Sequence, residues 1–218
     1  MVKHNKKFRD GSVVRQIGRL VIIGMVGICL SFGFALSQAF AGPPTDSMKG
    51  TIDEVLRIIR DKELKQSAKA EERRSLLEKV VAERFDYQEM SRRALGAPWN
   101  QLSDNEKQEF VSLFQTLLTS SYAEKVESYS GEGVQYLNER TEKDYAEVRT
   151  KILSGKTEIP LDYRLINRGT DWRVYDVVVD GVSLVNNYRG QFTKILRASS
   201  YPDLVDQLRK KSDKLKSP

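Results

Sequence analysis

The side chains that most often do chemistry in proteins are nearly missing from this chain of 218 residues. Its one histidine is His4 and its one cysteine is Cys29, and both lie within the first 41 residues. Without that segment, the chain has no imidazole for general-base catalysis, no thiol nucleophile and no nitrogen or sulfur ligand for zinc. Most classes of enzyme are therefore disfavoured.

Two short segments resemble catalytic motifs, but each lacks a residue that its chemistry requires. Residues 154–157 read Ser-Gly-Lys-Thr, like the end of a P-loop, yet Thr150 stands where that loop needs its first glycine. Residues 181–185 resemble a nucleophile elbow around Ser183, yet Val185 replaces the closing glycine and no histidine is present to activate the serine. We predict that Ser183 instead caps a helix.

Carboxylates are the remaining catalytic groups. Asp176 and Asp180 lie near the end of a predicted strand, and two carboxylates can hydrolyse a glycosidic bond without histidine. A histidine-free, carboxylate-dependent hydrolase of the bacterial wall, acting in the periplasm, therefore stays open as an alternative. The acidic residues do not match the D-x-D-x-D-G spacing of a calcium loop, and we predict no metal and no cofactor.

The first 41 residues have the three parts of a secretory signal peptide. Lys and Arg residues precede an apolar stretch over 20–36, and Ala39-Phe40-Ala41 matches the A-x-A cleavage signature. We predict a cleaved signal over 1–41 and a single domain over 42–218; the alternative is an uncleaved membrane anchor. The signal holds six cationic residues and one Asp, so the formal charge of +6 falls to +1 without it. That balance gives no reason to expect nucleic-acid binding.

Helical periodicity dominates the first half of the predicted domain. Apolar residues recur at helical spacing over 52–59, 76–85 and 110–126, and a short helix is predicted between the second and third of these runs. Ser103 and Glu106 form an S-x-x-E capping box that predicts where the third and longest of these helices begins.

Between residues 133 and 179 the period changes to two. Apolar and polar residues alternate in segments separated by short turns, which predicts an antiparallel β-meander. Pro160 cannot donate a backbone hydrogen bond, so we expect its strand to lie at an edge or to begin with a bulge.

Helical spacing returns after residue 181. One helix is predicted to follow Ser183, and a last one to begin near Ser200, with residues 209–218 polar and frayed. N-terminal helices, an antiparallel β-meander and C-terminal helices together predict an α+β domain.

Two segments resemble a known family. Phe85-Asp86-Tyr87, Met90 and Ala94-Leu95-Gly96 resemble the helical part of the MlaC-like periplasmic lipid carriers, also called toluene-tolerance proteins. Residues 176–192 look even more like that family, because they read D-V-x-x-x-G-V-S-L-V-x-x-Y-R-x-Q-F. The resemblance covers residues 50–208.

The resemblance implies a carrier and not an enzyme. The carrier would be a monomer in the periplasm of a Gram-negative cell, binding one diacyl phospholipid in an apolar pocket between the sheet and the helices. It would shuttle lipid between an outer-membrane lipoprotein complex and an inner-membrane ABC transporter with an MCE-domain subunit, and so maintain the lipid asymmetry of the outer membrane. A hopanoid or another hydrophobic lipid is an alternative cargo, and a periplasmic scaffold protein without a ligand is an alternative function.

The inner faces of the long helix, the sheet and the following helix would line such a pocket. The candidates for contact with lipid are Phe114, Leu118, Tyr122, Val126, Val148, Ile152, Leu161, Tyr163, Val174, Val177, Leu184, Tyr188 and Phe192. Each could instead be closed core. Arg189 holds the headgroup phosphate or pairs with a structural carboxylate. Arg92-Arg93 and Arg209-Lys210-Lys211 either attract anionic headgroups and docking partners or form a solvated face.

Overall fold

A computed structural model describes residues 42–129, 133–155 and 157–216, in which helices flank one antiparallel sheet. The elements before the sheet are α1 (Pro43–Arg60), α2 (Ala70–Arg84), α3 (Tyr87–Leu95) and α4 (Asp104–Glu127), with 3₁₀ turns at Ser67–Lys69 and Ala97–Gln101. The strands are β1 (Gly133–Glu142), β2 (Tyr145–Ser154), β3 (Thr157–Asn167), β4 (Trp172–Val179) and β5 (Val182–Ser183), followed by α5 (Leu184–Ala198) and α6 (Tyr201–Lys216). The predicted α+β class is confirmed, and the predicted signal lies outside the described residues.

Side-chain caps fix the starts of helices α3, α4, α5 and α6. At α4, the backbone nitrogen and the hydroxyl of Ser103 donate to the Glu106 carboxylate at 2.8 and 2.7 Å, as the capping box predicts. Asp86 accepts from the amide three residues along at 2.9 Å and so begins α3, and Ser183 begins α5 in the same way at 3.0 Å. These oxygens satisfy amides that have no partner within the helix, which stabilises each start by about 1 kcal/mol.

The sheet has the order β1-β2-β3-β4-β5, and each strand is antiparallel to the next. Pro160 lies in β3, an interior strand, so the prediction of an edge strand is wrong. β3 pairs with β4 only from Leu161 onward, and Pro160 lies one residue beyond that ladder. Its carbonyl accepts from the amide of Asp180 at 3.0 Å, and no β4 residue opposite needs the hydrogen bond that proline cannot donate. The β3–β4 irregularity lies elsewhere, between Arg164 and Leu165.

Buried apolar side chains form three clusters. The helical cluster lies between α3, α4, α5 and α6; the sheet cluster lies between α1 and one face of the sheet; and the α1–α2 cluster joins the first two helices. The helical cluster consists of Tyr87, Met90, Ala94, Leu95, Trp99, Phe110, Phe114, Leu117, Leu118, Val185, Tyr188, Phe192, Leu204 and Leu208. The sheet cluster consists of Met48, Ile52, Leu56, Ala146, Val148, Tyr163, Leu165, Val174 and Val177, and the α1–α2 cluster of Ile58, Ile59, Leu64 and Leu77.

Three local features differ from the sequence-based expectations. Phe85 ends α2 as its C-cap and pairs with Val174 of β4. β5 has only two residues, too few for an alternating pattern to reveal. Helix α6 continues to Lys216, so most of the segment expected to fray is helical, and Ser212 within it is buried.

Candidate functional site

The apolar candidates divide among the three clusters. Those in the helical cluster are Phe114, Leu118, Tyr188 and Phe192, with Tyr122 at its margin. Those in the sheet cluster are Val148, Tyr163, Val174 and Val177, with Leu161 and Leu184 at its margin. Val126 packs at the margin of the α1–α2 cluster, and Ile152 lies on β2 four residues beyond Val148, on the same face of the sheet.

In the helical and sheet clusters, the structure brings candidates close to one another. The ring of Phe114 meets Tyr188 edge-on with centroids 5.1 Å apart, and meets Phe192 in the same way at 5.5 Å. Across the sheet, Val148, Tyr163 and Val177 are neighbours in one row over β2, β3 and β4. The helical and sheet candidates thus belong to two separate groups and do not form one continuous wall.

The candidates also differ in how much free surface they have. Phe114, Val148 and Val174 are 0% exposed, so neither water nor a ligand reaches them in this conformation. The other buried candidates are Leu118, Tyr163, Val177, Tyr188 and Phe192. The half-buried candidates, which do have free apolar surface, are Tyr122, Val126, Ile152, Leu161 and Leu184.

Two aromatic residues that the sequence analysis did not select connect the clusters. Phe85 packs against both the helical and the sheet cluster, and Tyr129 against both the sheet and the α1–α2 cluster. The Tyr129 hydroxyl donates to the carbonyls of Gly133 and Leu153 at 2.8 and 3.0 Å, which fixes the end of α4 against the sheet. The helical pattern over 76–85 includes Phe85 but does not show that it contacts two clusters, and Tyr129 lies beyond the last periodic residue of α4.

Tyrosine hydroxyls add polar points to the sheet cluster. The Tyr136 hydroxyl oxygen is buried and has no hydrogen-bond partner among the described residues. Burial raises the pKa of Tyr136 and that of Tyr163 above the ordinary value for tyrosine, so both phenols stay protonated at physiological pH. Val134 and Tyr136 alternate with polar neighbours, as is typical of a strand, but that alternation gives no sign of an unpaired hydroxyl.

Arg189 belongs to none of the three apolar clusters. It is exposed on α5, and its guanidinium lies over Gly96, where an added Cβ would be 3.5 Å from Nε. A cleft of about 370 Å³ opens there, lined by Arg92, Arg93, Gly96, Ala97, Asn100 and Arg189. In the sequence, Arg92-Arg93 and Arg189 are separate candidates for contact with an anionic headgroup. The packing of α3 on α5 brings them together.

Glu89 holds two of these arginines. Its carboxylate is 8% exposed and accepts from Arg92 at 2.6 and 2.9 Å and from Arg93 at 2.6 Å. Burial opposes ionisation of Glu89, but the arginine hydrogen bonds outweigh it, and the pKa of Glu89 lies below the ordinary value. The guanidinium of Arg93 also lies 4.0 Å from the ring centroid of Tyr175, in a cation–π contact.

Asp176 is a structural carboxylate at the junction of β4 and α5. It is 3% exposed and accepts from the Ser183 hydroxyl at 2.6 Å, from the Val185 amide at 3.0 Å and from Arg164 at 3.1 Å. Asp180, the other carboxylate of the hydrolase alternative, is exposed at the following turn. A buried carboxylate with these bonds cannot reach a polysaccharide in this conformation. Among the described residues, no group of three or more acidic, histidine or cysteine side chains could hold a metal ion.

The second basic segment is a solvated face. Arg209 pairs with Glu109 of α4, and Lys210 pairs with Asp206 one turn earlier at 2.7 Å. These exposed pairs contribute little to stability. Within the described part of the chain, no helix has the length and apolar character needed to cross a membrane.

Comparison with known proteins shows to which family this chain belongs. The family model described as MlaC protein matches residues 49–210, which is most of the chain and includes both resembling segments. The chain belongs to the MlaC family. The resemblance found in the sequence is therefore confirmed.

Two proteins that this chain resembles have names that refer to phospholipid. The chain is 23% identical over 122 residues to the intermembrane phospholipid transport system binding protein MlaC of Haemophilus influenzae, an alignment covering 53% of this chain and 57% of that relative. The chain thus spans little more than half the length of this curated relative. A phospholipid-binding protein of Ralstonia solanacearum, solved in complex with a phospholipid, has the same fold with a TM-score of 0.71 and 24% identity, covering 81% of this chain and all of that one.

The family motif of residues 176–192 has a clear structural basis. A hydrogen bond from Ser183 to Asp176 joins β4 to α5. Val185, Tyr188 and Phe192 then pack inward into the helical cluster, and Leu184 packs at the margin of the sheet cluster. Arg189 is one of the exposed members of the motif, and its guanidinium lies over Gly96. Most of the MlaC motif therefore builds the joint between the sheet and α5, whereas Arg189 contributes to the cleft.

Proposed function

We propose that this MlaC-family protein is a periplasmic carrier that buries the acyl chains of a phospholipid and moves the lipid between membrane complexes. The observation that carries the proposal is its fold, which matches the whole of a protein solved with a phospholipid bound. The absence of histidine and cysteine after residue 41 fits a function that makes and breaks no covalent bond.

The physics of lipid transfer explains why such a carrier needs no catalytic group. A diacyl lipid has on the order of 30 methylene groups, and each contributes about 0.8 kcal/mol when withdrawn from water. The cost of exposing both chains is then on the order of 20 kcal/mol, so free lipid scarcely crosses an aqueous compartment. A protein that covers the chains removes most of this cost by contact alone.

The half-buried candidates are the proposed first contacts for the acyl chains. Tyr122, Val126, Ile152, Leu161 and Leu184 have free apolar surface next to the clusters, which an acyl chain could cover. The buried candidates, such as Phe114 and Phe192, would contact lipid only after the clusters separate. The unpaired hydroxyl of Tyr136 lies beside the sheet cluster and is available to donate to a lipid carbonyl oxygen.

The proposed function also requires export of the protein and partners in both membranes. The signal predicted over 1–41 would bring the protein to the periplasm as a monomer, between an outer-membrane lipoprotein complex and an inner-membrane ABC transporter with an MCE-domain subunit. A carrier shifts no equilibrium unless its affinity for lipid differs between docked states, so the direction of transport must come from these partners. This traffic would maintain the lipid asymmetry of the outer membrane.

Extraction of a fluorescent phospholipid from vesicles tests the proposal. Delipidated protein should remove the lipid and hold about one molecule per chain after gel filtration. Leu161→Trp, which fills free space at the margin of the sheet cluster, should lower the amount held. Leu137→Trp is the matched control, because Leu137 is 49% exposed on β1 and should leave extraction unchanged. Folded protein that removes no lipid would overturn the proposal.

A further inference from the structure

The cleft under Arg189 is built from three parts of the chain. Arg92 and Arg93 come from the last turn of α3, Gly96, Ala97 and Asn100 from the segment that follows, and Arg189 from α5. Gly96 has a φ of 72° and ψ of −140°, a conformation that side chains rarely adopt, and an added Cβ would lie in ordinary van der Waals contact with the guanidinium of Arg189. The backbone conformation therefore favours glycine here, and the guanidinium of Arg189 lies directly over it.

The charges around the cleft do not balance. Glu89 binds Arg92 and Arg93, and Arg168 pairs with Asp86 at 2.6 Å and lies 3.6 Å from Glu89. Arg189 has no ion pair or hydrogen bond among the described residues. These four arginines and two carboxylates together carry a net charge of +2, and the lining of the cleft includes three of the arginines and neither carboxylate.

The lining matches an oxyanion better than an acyl chain. Ala97 is its one apolar side chain, whereas the guanidinium groups and the exposed Asn100 amide supply hydrogen-bond donors. Guanidinium groups bind phosphate through paired, charge-assisted hydrogen bonds, which makes arginine the usual residue for this task. Glu89 and the ring of Tyr175 hold the neighbouring arginines in place, so part of the ordering is complete before a ligand arrives.

We propose that Arg92, Arg93, Asn100 and Arg189 form a binding site for one phosphate group. The group belongs either to the headgroup of a bound lipid or to free phosphate. The headgroup case rests on the proposed function, whereas binding of free phosphate stands whether or not the protein carries lipid. Arg189 has no ion pair or hydrogen bond in the described structure, so the donors of its guanidinium are available to the phosphate.

Nuclear magnetic resonance with inorganic phosphate tests the site. The sample is the ¹⁵N-labelled protein as the cell produces it, after removal of lipid. It is titrated with phosphate at constant ionic strength, and chloride serves as the reference anion. The Nε–Hε resonances of Arg92, Arg93 and Arg189 and the amides near Gly96 should shift together and saturate. Shifts spread evenly over the basic surface would overturn the proposal.

Two matched variants distinguish the site from general electrostatics. Arg189→Gln should weaken phosphate binding by about tenfold, as expected for one charge-assisted interaction. Arg197→Gln removes the same charge from the exposed end of the same helix and should leave the affinity within about twofold. Circular dichroism checks that both variants are folded, and equal effects of the two variants would refute the assignment.

Loading the protein with phosphatidylglycerol identifies the source of the phosphate. If the headgroup occupies the cleft, the arginine resonances shift on loading and free phosphate no longer binds. If free phosphate binds equally well to loaded protein, the site is real and its ligand is not the lipid. Protein that takes up no lipid contradicts the proposed function, but the titration of the empty protein still tests the cleft.

Discussion

Replacing Asp176 by Asn separates the structural role of this carboxylate from a catalytic one. Asn has nearly the same shape, but an amide nitrogen takes the place of one acceptor oxygen. That nitrogen would face either the Val185 amide or the donors of Ser183 and Arg164, so a buried donor meets another donor in both orientations. The substitution therefore breaks the joint between β4 and α5 without creating a cavity.

The structure sets the size of the effect. A hydrogen bond to a charged group contributes about 1.5–3 kcal/mol, and a buried polar group left without its bond costs about 1–3 kcal/mol. The side chain of Arg164 is 36% exposed and also lies 3.6 Å from Glu147. Solvent therefore reduces the contribution of its hydrogen bond with Asp176. We expect a loss of about 2–4 kcal/mol in the free energy of unfolding, which lowers the melting temperature of a domain of this size by about 5–15 °C.

Urea and thermal unfolding followed by circular dichroism measure this loss. Asp180→Asn is the matched control, because Asp180 is exposed and has a φ of 49°, a conformation that Asn tolerates. The control should change stability by less than about 0.5 kcal/mol. If Asp176→Asn is as stable as the control, the joint described here is not what Asp176 provides. Loss of a peptidoglycan-cleaving activity at unchanged stability would favour the hydrolase alternative.

Three further predictions concern the arginine cluster, the cleft and the sheet cluster. Glu89→Gln should cost about 1–3 kcal/mol at pH 7. Because the pKa of Glu89 is lowered in the folded state, this difference from the wild type should shrink as pH falls below the ordinary value of 4.5, and a difference unchanged at pH 3.5 in urea unfolding would contradict the ion pairs. Gly96→Ala should destabilise by about 1–3 kcal/mol through its backbone conformation alone, and a neutral effect in the same assay would contradict it. Tyr136→Phe removes a buried hydroxyl without a partner among the described residues and should raise the unfolding free energy of lipid-free protein by about 1 kcal/mol; a loss of stability would reveal a partner for that hydroxyl.

Local chemistry made much of the fold predictable. Capping at Ser103 and Ser183 depends on residues a few positions apart, and the alternation in β2 to β4 reflects one buried face, so both are visible in the sequence. The edge-strand prediction for Pro160 is wrong because the place of a proline in a sheet depends on where the neighbouring strand β4 ends, which is a long-range property. The sequence does not predict β5, because a strand of two residues is too short to show an alternating pattern.

The candidate site was harder to predict for a related reason. Periodicity shows which face of an element is apolar, but it does not show which other element covers that face. Phe114 and Val148 are equally apolar and equally buried, yet one belongs to the helical and the other to the sheet cluster. Arg93 and Arg189 are 96 positions apart, and no local pattern links them before α3 packs on α5.

Native mass spectrometry of protein purified from the periplasm without detergent tests the central claim most directly. Extraction of the same sample identifies any bound lipid, and a hopanoid mass would keep the carrier function while changing the cargo. The proposed function predicts a bound species of phospholipid mass at about one per chain. Protein that is folded but reproducibly empty would contradict it.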